Sequence, residues 1–117
     1  MAVERHDSAL QDSAPSATDL STKVFYLGTI NSSSQIALCG AAGIVAGVIT
    51  EGKAAGLYST FSRGPKVKVI AGGSITAGQR VESDGDGKAV AGTTAPFGVA
   101  RTGASANEIV EVDFDIR

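Results

Sequence analysis

Between Val67 and Val99 the chain reads VKVIAGGSITAGQRVESDGDGKAVAGTTAPFGV, and this stretch narrows the available folds more than any other. Short β-type runs alternate with Gly-Gly, Ala-Gly and Asp-Gly pairs, the chemistry of strand ends and tight turns. A helix needs apolar residues at three- and four-residue intervals over several turns, and no segment of the chain sustains that period. At Lys66–Ile70, Val67 and Val69 share one face while Lys66 and Lys68 take the other, as in a half-solvated strand. The end of the chain alternates more cleanly, with Val110, Val112, Phe114 and Ile116 on one face and Glu111, Asp113 and Asp115 on the other.

Further strands are expected at Val24–Leu27, Gln35–Leu38, Ile44–Ile49 and Leu57–Phe61, each bounded by Gly, Asn or Ser. Strands recurring every 8 to 12 residues or so, with turn signals between them, predict an all-β fold. The expected architecture is a small compact β-barrel or sandwich-like domain of the β-tulip type over residues 24–117. Residues 1–23, MAVERHDSALQDSAPSATDLSTK, are poor in apolar side chains and carry no periodicity, so they read as a flexible N-terminal arm.

One internal repeat is visible. Gly47-Val48-Ile49-Thr50-Glu51-Gly52 lines up with Gly98-Val99-Ala100-Arg101-Thr102-Gly103, and each copy is followed by a strand-like run, LYSTF or EIVEVDF. This pattern suggests two related β-units, with AGGSITAGQRV bridging them. The core must come from Val, Ile, Leu and Ala, because aromatics are 5% of the 117 residues and Trp is absent. A small core of that kind is marginal alone, and self-association is a common remedy.

Several classes of chemistry fail on residue type. Ser- or Cys-based catalysis needs a positioned His, and the single His, His6, lies in the expected arm. The lone Cys39 sits in the apolar run IALCGAAG and reads as a buried thiol. Asp84-Gly85-Asp86-Gly87 has Gly at its fourth position and Ala95 at its twelfth, so it reads as a hairpin turn rather than a calcium loop. The glycine patterns that cradle phosphates are absent, so no cofactor is expected. A net charge of −2 argues against nucleic acid as a partner. The longest apolar run, Ile36–Ile49, falls short of the roughly 20 residues a membrane helix needs, so the chain is expected to be soluble and made in the cytoplasm. A biotinyl- or lipoyl-type carrier module, with Lys88 as the modified residue, or a ligand-binding β-module of an enzyme complex is a second class to weigh.

Taken together, Lys66–Val81, Asp84–Val90, Phe97-Gly98-Val99-Ala100 and Ile109–Val112 resemble the capsid decoration (cement) proteins of tailed bacteriophages. The resemblance covers roughly residues 36–116 and leaves the N-terminal arm unmatched. It implies a structural virion protein without enzyme activity that binds the exterior of an expanded icosahedral head. Its partners would be the major capsid protein and two further copies of itself in a homotrimer. A head-fibre base or a tail-tube component is a related alternative. Interface residues are expected among Leu20, Phe25, Tyr26 and Leu27, and on the oppositely charged strand faces of Lys66 and Lys68 and of Glu111, Asp113 and Asp115.

Overall fold

Gly-punctuated strands dominate the computed structural model, which describes residues 11–114. The strands are β1 (Gln11–Pro15), β2 (Leu27–Ile30), β3 (Ile36–Leu38), β4 (Gly47–Glu51), β5 (Tyr58–Ser62), β6 (Lys66–Ile70), β7 (Arg80–Ser83), β8 (Ala89–Ala91), β9 (Gly98–Ala100) and β10 (Ile109–Phe114). They form two antiparallel sheets, ordered β1-β5-β4-β2-β3 and β6-β10-β9-β7-β8. The second order repeats the first with every strand replaced by the one five places later. The expectation of an all-β fold holds.

The two halves agree down to register. Leu27 pairs with Val48 in the first as Arg80 pairs with Val99 in the second, and Val48 pairs with Ser62 as Val99 pairs with Asp113. The β2–β3 turn is built like the β7–β8 turn. Asn31 Oδ1 accepts from the amides of Ser33 (2.9 Å) and Gln35 (3.0 Å), and Asp84 Oδ1 from those of Asp86 (2.8 Å) and Lys88 (2.9 Å). The Asp-Gly segment is therefore a hairpin turn whose first carboxylate is occupied by its own backbone. In each half a parallel bridge joins the outer strands, at Ser16–Ile36 and at Ala71–Ala89, so each sheet curls around its own apolar interior.

The interiors are filled differently. Ile36, Ile49 and Phe61 of the first half are matched by Ala89, Ala100 and Val112 of the second, while Ala14, Gly28 and Ala46 are matched by Val69, Val81 and Phe97. Volume lost at one set of positions is regained at the other, a trade that preserves a backbone. Phe97 packs on Phe114 with ring centroids 5.6 Å apart.

Three sequence expectations need correction. Within the expected flexible arm, residues 11–23 are built into the domain. Gln11–Pro15 pair with β5, Ala14 and Ser16 are buried, and Leu20 is fully enclosed with its amide bound to Lys53 O at 2.9 Å. Residues 1–10 of that arm lie outside the described residues. AGGSITAGQRV does not bridge the units either. It belongs to the second, where Ile75 takes the place Leu20 has in the first, and the link is Arg63-Gly64-Pro65. Finally, the strand expected at Val24–Leu27 starts only at Leu27, because Phe25 has φ of +73° inside a turn closed by Tyr26 N–H to Lys23 O.

Candidate functional site

The two halves meet along a one-way seam. Strand β4 is buried on both sides, with Ile49 in the first interior and Val48, one residue earlier, packed into the second together with Leu27 and Cys39. Burial raises the Cys39 thiol above its ordinary pKa of 9.0. Among the described residues, three backbone hydrogen bonds cross the seam. Leu27 N–H donates to Gly87 O (2.7 Å), Ile70 N–H to Phe25 O (2.9 Å) and Ala42 N–H to Ser83 O (2.9 Å). Their counterparts with the halves exchanged are absent among the described residues, so the halves use different surfaces. They stack head to tail rather than face each other symmetrically.

Where the seam opens to solvent it leaves a groove of about 260 Å³, lined by Phe25, Val48, Thr50, Ser62, Lys66, Val67 and Lys68. The structure thus brings together three residues singled out from sequence, Phe25, Lys66 and Lys68. Tyr26 stands apart, half-buried against the first interior with Lys23 Nζ 4.8 Å from its ring centroid. Leu20 and Leu27 are wholly buried inside the chain, which removes them as contact residues. Leu20 fills the first interior, and Leu27 fills the seam against the second.

The charged strand faces meet within one sheet. Lys68 stands opposite Glu111 and Lys66 opposite Asp113, with Lys66 Nζ 3.9 Å from Glu111 and Arg101 3.1 Å from Asp113. Asp115 lies outside the described residues. These pairs are solvated and contribute up to about 1 kcal/mol each. Lys88 leans back onto the domain, 3.0 Å from Asn107 Oδ1 and 6.0 Å from the Tyr26 ring, which is poor presentation for a carrier lysine.

One surface went unread in the sequence. The β4–β5 connection, Ala54-Ala55-Gly56-Leu57-Tyr58, is an exposed apolar tip with Leu57 58% and Tyr58 65% accessible. At the matching tip of the second half stand Ser105, Ala106, Asn107, Glu108 and the exposed Ile109, and the Glu108 carboxylate accepts the Ser105 amide at 2.8 Å. The same backbone therefore works with Glu108 at the place of Leu57, so the exposed leucine is not a requirement of the fold, while the place of Tyr58 is apolar in both halves. Extending the visible Gly47/Gly98 repeat through both tips could have exposed the contrast.

No family model matches the chain, and no curated protein is similar to it. A solved structure is. The head fiber gp8.5 N base of bacteriophage phi29 superposes with a TM-score of 0.74, covering 92% of this chain and 94% of that one at 19% identity. At that identity the likeness is one of fold, and it extends through both halves.

Proposed function

We propose that this chain is a structural protein of a phage virion, held on the outside of the head, where it acts as a bound surface element without catalysis. The observation that carries the reading is the near full-length fold shared with a head-fibre base. The partner is the major capsid protein, and the apolar tip around Leu57 and Tyr58 is the surface we assign to that contact. A homotrimer that braces the lattice is the finer form of the proposal. Attachment as the base of a fibre is its alternative, and the fold likeness favours that alternative.

The test is co-sedimentation of the purified chain with expanded, DNA-filled heads and with empty precursor shells. Binding to expanded heads, lost in the Leu57→Glu and Tyr58→Glu variants, is the expected result. No binding to either particle by the folded protein refutes the proposal.

A further inference from the structure

The duplication supplies an internal control for the seam. A head-to-tail contact between two similar units leaves the same two surfaces free at the outer ends, and such contacts propagate into rings or open filaments unless something stops them. Here the free face of the second half matches the seam face of the first, and the free end of the first half matches the seam end of the second. Both free surfaces depart from the seam at the positions that make it.

On the free face, the row Leu27–Val48–Ser62 is replaced by Arg80–Val99–Asp113. Leu27 and Val48 are buried at the seam, whereas Arg80 and Asp113 are exposed and Asp113 is engaged by Arg101. A unit docking there would have to enclose two charges where the seam encloses apolar groups. On the free end, Pro15 stands where Ile70 donates its amide to Phe25 O, and proline has no N–H to give. Ser34 stands where Gly87 approaches Leu27. A Cβ at Gly87 would lie 3.0 Å from Leu27 O and 3.3 Å from Leu38 Cδ2, so the seam distance depends on glycine, and Ser34 adds both a Cβ and a hydroxyl.

We infer that Arg80, Asp113, Pro15 and Ser34 form a two-sided block that stops the seam from repeating between chains and ends the stack at two units. The block acts on this head-to-tail geometry alone and leaves a closed oligomer through other surfaces open. It stands independently of the virion reading.

Each substitution that tests the block copies a residue the other half carries at the same place. Pro15→Ile with Ser34→Gly restores the free end, and Arg80→Leu with Asp113→Ser restores the free face. Sedimentation velocity on the intact chain should show wild type and each double variant as single discrete species. An equimolar mixture of the two double variants should double the mean mass, with the two variants in equal numbers in each particle. All four substitutions in one chain should give an open-ended series whose mean mass rises with concentration. A mixture that stays at the mass of its components, with both variants folded by circular dichroism, overturns the inference. So does a wild-type chain that already forms the open-ended series; if the fourfold variant does not fold, the mixture decides.

Discussion

The buried serine pair of the first half allows a quantitative test of how its interior is built. Ser16 and Ser59 are 1% and 0% exposed, with their hydroxyl oxygens 2.6 Å apart. Ser16 Oγ donates to Leu57 O at 2.7 Å, so the proton between the serines must come from Ser59, which also accepts the Lys53 amide at 2.9 Å. The chain of bonds therefore has a direction. Ser16→Ala strands the Ser59 hydroxyl in the interior at a cost of about 2 kcal/mol, within the ~1–3 kcal/mol typical of a buried donor left unpaired. Ser59→Ala strands the partly buried Lys53 amide at about 1 kcal/mol. Once Ser59 is Ala, removing the Ser16 hydroxyl orphans nothing further, because Leu57 O still accepts the Ser16 amide at 2.8 Å. The double variant should then lie within about 0.5 kcal/mol of Ser59→Ala alone, a coupling near 1.5 kcal/mol. Urea unfolding reads this as a midpoint loss of roughly 1 M for Ser16→Ala in the wild-type background and little in the Ser59→Ala background. Additive effects within about 0.5 kcal/mol would refute the assigned direction of the bonds.

Other perturbations discriminate further. Gly98→Ala forces a Cβ against Asp113 O and Val112 Cγ1 (2.7 Å) and should lower stability by about 2 kcal/mol, while Gly40→Ala, with nothing within 4 Å, should leave the thermal midpoint nearly unchanged. Lys68→Glu places like charges across β6 and β10 and should cost about 0.5 kcal/mol at low salt, an effect that denaturation in 1 M salt should largely erase. Asp84→Ala removes the acceptor for two turn amides and should lower stability by about 1 kcal/mol, and Asp84→Asn should recover most of it, since Asn31 serves the equivalent turn. Cys39 should resist thiol reagents at pH 8 in the folded chain and react in urea. Because its pKa is raised on folding, the thiol's contribution to stability is complete below pH 9 and declines as pH rises above it.

Strands whose two faces differ chemically could be read directly. Lys66–Ile70 and Ile109–Phe114 alternate because one side faces an interior and the other faces water, and the structure keeps both faces as expected. Gln11–Pro15 is not legible because Ala14 is its one buried residue, followed by the buried Ser16. A strand lined by small and polar side chains has the composition of a tail. The repeat is visible at Gly47-Val48 with Gly52 and at Gly98-Val99 with Gly103, because the backbone leaves little room for a side chain there: a Cβ at Gly47 would meet Ser62 O at 2.7 Å, and one at Gly98 would meet the Asp113 carbonyl. Elsewhere the halves exchange large for small side chains, which hides kinship from a residue-by-residue comparison. Leu20 and Leu27 read as contact residues in the sequence for a related reason. A single sequence shows that a leucine wants cover, but only the assembled strands show that the chain supplies it.

Strand β4 gives the two interiors a shared wall. Val48 and Ile49 are adjacent in sequence and serve opposite cores, so melting the first half withdraws Val48 from the second core, and melting the second half uncovers Val48, Leu27 and Cys39. Unfolding should therefore appear as one transition although the chain contains two similar units. Heat or load that loosens the N-terminal unit is felt at once in the C-terminal one. The chain would then yield at a common threshold rather than unit by unit.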